Sequence, residues 1–171
     1  MDFMELAKKR YSVRKFSDKA VEPDKLDLLL AAGNIAPTAK NLQPQRIYVL
    51  QSEDALVKLD SLTHCRYGAG KVLLFTYNTD EDWKNPLEGG IHSGIEDVSI
   101  VATHIMLQAA ELGLDTCWCN YFANRKLEEV FNLPANEKSV LIMPVGYADE
   151  NAKPSPMHEA QKEISEIVKY L

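Results

Sequence analysis

The sequence predicts one α/β-containing domain, a sheet with helices on both faces. Three observations carry that expectation. Lys71–Tyr77 is an almost continuous apolar, β-prone run, as expected of a strand covered on both faces. The stretch 93–112 puts apolar residues on nearly every side of a helix, the pattern of a buried one. Strand-like and helix-like stretches mix along the whole chain, with no repeat, low-complexity tract or linker. At 171 residues the chain fits a single domain, 1–171, or half of an obligate dimer, with a sizeable core.

In order along the chain, Asp2 to Lys9 reads as a short helix with Phe3, Leu6 and Ala7 on one side. Pro23 opens a second helix at a first-turn position, where its missing N–H costs nothing, and Gly33-Asn34 is placed to end it. A loop bracketed by two prolines, 35–44, leads to a strand over 46–51 and a helix from Glu53 to about Leu62. After the 71–77 strand comes a polar loop, 78–90, and then the long helix, ended by Gly113. Leu114 to Cys119 predicts another strand, Asn124 to Phe131 a short amphipathic helix, and Ser139 to Gly146 a strand in which Pro144 suggests an edge or irregular end. The last stretch, 158–171, predicts a polar helix with Ile164, Ile167, Val168 and Leu171 on one face.

The formal net charge of -6 argues against a general nucleic-acid binder. Residues 1–19 run the other way: six bases (Lys8, Lys9, Arg10, Arg14, Lys15, Lys19) against three acids (Asp2, Glu5, Asp18) make +3, leaving -9 for the rest. A basic patch on an acidic chain suits one small anionic ligand better than a polyanion, although on charge alone a solvated basic helix end is the preferred reading. No run of 18 apolar residues predicts a membrane span, and the first residues do not read as a signal peptide. Three cysteines, an odd count, do not suggest a disulfide framework, so a reducing cytoplasm is the expected setting.

Three local patterns bear on chemistry. In Arg10-Tyr-Ser-Val-Arg14-Lys-Phe16, residues 10, 12 and 14 alternate, so an extended segment projects two guanidiniums and a hydroxyl to one side, a set suited to phosphate. Ala36-Pro-Thr-Ala-Lys-Asn-Leu-Gln-Pro44 is rich in small and polar residues, able to bring backbone groups and the Asn41 amide against a flat heteroaromatic ring; as plain loop formers they need no ligand. Ala110-Glu-Leu-Gly-Leu-Asp-Thr-Cys-Trp118 carries a buried helix through a glycine into a strand. Two rival sites are weaker. Cys117-Trp-Cys119 with His64, Cys65 and His92 has the wrong spacing for zinc, and a cysteine nucleophile has no evident Asp or Asn partner for its histidine. Buried structural cysteines are the simpler reading, and no metal is expected.

Taken in this order, the patterns resemble the nitroreductase family over roughly residues 1 to 155. Arg10, Ser12, Arg14 and Phe16 match its opening segment, and Ala36, Pro37, Thr38, Asn41, Gln43 and Pro44 its loop. Asp97 matches the acid near the start of its buried helix; Leu107, Ala109, Ala110, Gly113, Leu114, Thr116, Cys117 and Trp118 match the helix–strand passage, and Val145-Gly146-Tyr147 the final strand. The resemblance implies an α+β, three-layer α/β/α sandwich around a central mixed, largely antiparallel sheet, dimerised through the buried helix as a homodimer sharing its two active sites. It implies FMN at the dimer interface. Arg10 and Ser12 would hold the phosphate and Arg14 would sit near the N1/O2 edge; Pro37, Thr38, Ala39 and Asn41 of the other subunit would pack against the ring. The backbone near Cys119 and Asn120 would face N5 and O4. Asn120 stands where many members carry Gly or Glu, and Lys153 is the one well-placed base of the tail, with Met157 and His158 where an arginine is often found. The implied activity is hydride transfer from NAD(P)H through flavin N5 to a nitroaromatic or quinone by ping-pong, with no catalytic side chain required. Enone reduction, dehalogenation, flavin breakdown or flavin binding without turnover fit the same resemblance.

Overall fold

The computed structural model describes residues 2–171. Four strands, β1 (Gln45–Leu50), β2 (Lys71–Asn78), β3 (Asp115–Thr116) and β4 (Glu137–Gly146), form one sheet in the order β1-β2-β4-β3, every strand pair antiparallel. Alternation along β2 sets the layers: Leu73 and Phe75 face one side, Val72 and Leu74 the other, and all four are fully buried.

Helices α1 (Phe3–Lys9), α2 (Pro23–Asn34), α3 (Glu53–Asp60), α4 (Gly94–Glu111), α5 (Asn124–Val130) and α6 (Ile164–Ile167) complete the chain. On one face, Leu29 of α2 and Val98, Val101, Ala102 and Ile105 of α4 pack on Leu73, Phe75, Leu141 and Met143. On the other, Leu59 of α3 and Leu127 of α5 pack on Val72, Leu74 and Ile142. Burying each such side chain contributes about 1.5–3 kcal/mol. The result is the expected α+β sandwich. Among the described residues its one parallel element is the bridge that joins Ser12 to Thr116.

Four details differ from the sequence reading. Helix α2 does end at Asn34, but Gly33 takes no positive φ and serves packing instead: a Cβ there would stand 2.7 Å from Ile105 Cδ1, so the glycine lets α2 and α4 approach. Gly113, at φ +72, does end its helix. Helix α4 buries Val98, Val101, Ala102 and Ile105, while Ile95, 60% exposed, and Ile100 reach the surface of the single chain; the sequence reading has this helix covered within a dimer. The 114–119 strand shrinks to two residues because of Pro144. Cys119 and Ile142 exchange both backbone hydrogen bonds at 3.0 Å, but two residues earlier Cys117 N–H reaches Pro144 O at 3.3 Å and Pro144 has no N–H to return. That proline sits inside β4, between β2 and β3, and not at an edge. The predicted 158–171 helix reduces to the four residues of α6, with Ile164 and Ile167 exposed: its apolar stripe finds nothing in this chain to pack on, and short helices need packing. Among the described residues no helix is long and apolar enough to cross a membrane.

Candidate functional site

Asp2 caps α1 with a reciprocal capping box to Glu5, and the helix ends at Arg10. The chain then runs extended along β3. Val13 N–H donates to Thr116 O at 3.0 Å and Phe16 N–H to Tyr67 O at 3.1 Å, while Val13 and Phe16 are buried. With those two facing in, Arg10, Ser12 and Arg14 line one cavity of about 180 Å³ together with Ser155, Met157 and His158 from the tail. No carboxylate lines it. Among the described residues neither Arg10 nor Arg14 has a carboxylate partner; Arg14 reaches only the Ser12 carbonyl, at 3.4 Å. His158 is held by its Nε2, 3.1 Å from the Lys8 carbonyl. Lys153 is exposed and is not among the lining residues.

A larger cavity, about 330 Å³, is also lined by bases, but they are engaged. Arg66 forks onto Asp60 at 2.6–2.7 Å, Lys71 donates to Gln51 at 2.8 Å, and Lys19 sits 3.7 Å over the Tyr147 ring. What sets the Arg10–Arg14 cavity apart from this one is, among the described residues, two unpaired guanidiniums with no carboxylate in the lining, not volume.

The 36–44 loop is built from inside. Asp97, 2% exposed in the first turn of α4, accepts a hydrogen bond from Ala39 N–H at 2.7 Å and another from the Ser93 hydroxyl at 2.7 Å. Thr38 Oγ1 accepts from Gln43 N–H at 3.1 Å, and Lys40, Asn41 and Gln43 take positive φ. This tight conformation exposes Pro37 and Asn41 and half-exposes Thr38 and Ala39. The Thr38 hydroxyl already serves the loop, whereas the Asn41 side-chain amide has no partner among the described residues. None of these residues lines the Arg10–Arg14 cavity of the same chain.

Cys119 is buried, and its backbone is committed to Ile142. Asn120 is exposed but spanned at both ends: Trp118 Nε1–H donates to its Oδ1 at 2.8 Å and its Nδ2 donates to Val140 O at 2.7 Å. The Asn120 side chain thus fixes the backbone of 118–120.

Sequence reasoning did not find Ser155 or the lining role of His158, because they reach the cavity from about 145 residues downstream. It noted Asp97 without seeing that the loop hangs from it; an acid in a first helical turn is ordinarily explained by the helix dipole. It also missed that Cys117 lies beside Ser12, Arg14 and Arg10. The Cys119 thiol, donating to Cys117, together with those neighbours, outweighs burial and draws the Cys117 thiol down to about 7. Among the described residues no group of three or more His, Cys, Asp or Glu side chains is placed to hold a metal ion.

Known proteins share this fold. The model of the nitroreductase family matches residues 7–67 and 66–147, which take in the basic strip, the Asp97-anchored loop and β4. The crystal structure of a nitroreductase family protein from Clostridium difficile 630 is 39% identical, with a TM-score of 0.93 over 99% of this chain and 98% of that one. An FMN-dependent nitroreductase from Clostridium difficile R20291 is 27% identical, with a TM-score of 0.78 over 98% of both chains. An NADPH-dependent oxidoreductase from Staphylococcus haemolyticus is 27% identical over 170 residues, 89% of this chain and 68% of the relative. With the sandwich, the strip and the loop all falling inside the matched residues, the chain belongs to the nitroreductase family.

Proposed function

We propose that this chain is an FMN-dependent oxidoreductase, passing hydride from NAD(P)H to a small acceptor such as a nitroaromatic or a quinone. It would work as a homodimer with shared sites. The observation that carries the reading is the pair of guanidiniums, Arg10 and Arg14, facing a cavity with the Ser12 hydroxyl and no carboxylate. This donor set fits a phosphate monoester dianion. The names of the two relatives supply FMN and NADPH as the cofactors to test.

When bound, FMN supplies the hydride chemistry, and the protein supplies binding, orientation and charge. Arg10 and Ser12 hold the phosphate, and the uncompensated Arg14 favours negative charge on whatever ring lies beside it. Pro37, Ala39 and Asn41 of a second copy cover the ring, in a shape set by Asp97 and by the Thr38 hydroxyl, already bonded within the loop. Asn120, fixed through Trp118 and Val140, would present the backbone edge; Cys119, buried and with both backbone groups taken by Ile142, offers none. Lys153 adds charge to the tail segment. No side chain is required as a general base. The exposed Ile35, Leu42, Ile95 and Ile100 support a second copy on this side of the molecule.

Purified protein should be yellow, and heat should release FMN, identified by chromatography against FMN and FAD standards. FAD, or an empty protein after reconstitution with excess FMN, would overturn the reading.

A further inference from the structure

The cysteines take no part in the scheme above. Cys65, Cys117 and Cys119 are all free and buried, in the core cluster of Val72, Leu74 and Ile142. Cys117 and Cys119 lie two apart in an extended segment pinned to β4, so their side chains point the same way while Trp118 packs toward the opposite layer. Their sulfurs stand 3.6 Å apart, with the Cys119 thiol donating to Cys117. Cys119 Sγ also approaches the Cys65 carbonyl, at 3.8 Å, and Tyr67 Oη lies 3.5 Å from Cys65 Sγ.

We infer that Cys117 and Cys119 are a redox-active dithiol, closed to a disulfide by hydrogen peroxide or another small hydroperoxide, directly behind Ser12 of the basic strip. Two contacting sulfurs are the geometric requirement, since a disulfide needs about 2.05 Å between them and the present separation is 3.6 Å. The two thiols also differ in the way a nucleophile and a resolving thiol must. Cys117 is drawn down to about 7, first by the Cys119 hydrogen bond and then, against burial, by Arg14, Ser12 and Arg10. Cys119 is pushed up, first by that same hydrogen bond and then by burial. At 2% and 5% exposure neither admits a bulky reagent, so a small oxidant is the class that fits.

The chemistry balances without a flavin. The Cys117 thiolate attacks one peroxide oxygen; an S–O bond forms, the O–O bond breaks, and hydroxide leaves to take a proton as water. Cys119 then loses its proton and attacks the Cys117 sulfenyl sulfur. The S–S bond forms, the S–O bond breaks, and the departing hydroxide takes that proton as a second water. Two thiols are oxidised by two electrons and one peroxide is reduced. A bond spanning a single residue closes a small strained ring, and strained disulfides are the readily reduced, reversible ones.

The test uses the purified chain as isolated, treated with a few equivalents of hydrogen peroxide, denatured and alkylated, with thiols counted by intact mass. The count should fall from three to one, the survivor mapping to Cys65, and return to three after dithiothreitol. Cys65→Ser should still lose its remaining pair. Cys119→Ser, oxidised in the folded state and then denatured in the presence of dimedone, should lose the disulfide and yield a dimedone adduct at Cys117. An unchanged count, a disulfide that includes Cys65, or oxidation that dithiothreitol does not reverse would overturn the dithiol. If Cys119→Ser gives no adduct at Cys117, the assignment of Cys117 as the attacking thiol fails; the wild-type count decides the pair even if that variant does not fold.

Discussion

At the Glu137 end of β4, the Glu137 carboxylate accepts hydrogen bonds from Tyr48 Oη at 2.7 Å and Thr76 Oγ1 at 2.8 Å. Nearby, Arg46 Nη2 donates to both Glu81 carboxylate oxygens at 2.7 and 2.8 Å, and Glu128 takes both the amide and the hydroxyl of Ser139 at 2.9 Å. At the opposite end the register leads from Val145 across Thr116 to Ser12, and there Arg10 and Arg14 face a cavity with no counter-charge. At the first end these carboxylates are satisfied within the chain, as buried charge requires, although the neighbouring Gln45 Oε1 is a buried acceptor with no partner among the described residues. At the second, Arg10 is half-buried and Arg14 exposed, so their charge is left to solvent or to a ligand. Charge that the fold itself completes holds the sandwich together, and charge left incomplete marks where something binds.

The comparison breaks most readily at the open end. Arg10→Ala combined with Arg14→Ala removes two charge-assisted contacts of about 1.5–3 kcal/mol each, so FMN affinity should fall by about a hundredfold or more. The thermal midpoint of the cofactor-free protein should barely move, because neither side chain has a carboxylate partner to lose. Titration by flavin fluorescence and a thermal melt check the two halves.

At the closed end the signs reverse. Glu137→Ala strands the Tyr48 and Thr76 hydroxyls, and chemical denaturation should show a loss of about 3 kcal/mol of stability. FMN affinity should stay within about twofold, since distant sites act independently. An affinity loss matching that of the arginine pair would remove the distinction between the ends.

A smaller effect sharpens it. The Cys119 hydrogen bond and, after it, the field of Arg14 and Arg10 lower the Cys117 thiol, so its thiolate ultraviolet absorbance should be present above pH about 7 and disappear as pH falls through that value. In the unfolded chain the same loss should occur near 8.5. Arg14→Gln should move the folded midpoint upward, and a folded midpoint equal to the unfolded one would contradict the arrangement.

Much of this was legible from local pattern. The apolar run of β2 needs no partner to be read, and the alternation of residues 10, 12 and 14 survives into the structure because one face of that segment holds Val13 and Phe16 in the core. What escaped depends on partners remote in sequence. Gly33 reads as a helix terminator until Ile105 stands against it, and residues 114–119 read as a full strand until Pro144 withholds its N–H. Ser155 and His158 carry no local signal, and Lys153, chosen by resemblance, lies outside the cavity lining. The apolar stripes of α4 and of 164–171 were read correctly as stripes but lack, within one chain, anything to cover them.

The central claim is that the incomplete end of one chain is completed by the loop of another. It is tested by pairing one variant damaged in the strip (Arg10→Ala with Arg14→Ala) with one damaged in the loop (Thr38→Tyr with Asn41→Ala), carrying different tags and purified through both. In a symmetric dimer with shared sites, both lesions of the heterodimer fall in one site and the other is intact. The heterodimer should therefore bind about one FMN per dimer, while each parent homodimer binds little. A heterodimer as empty as its parents would show that strip and loop act within the same chain, and would contradict the account.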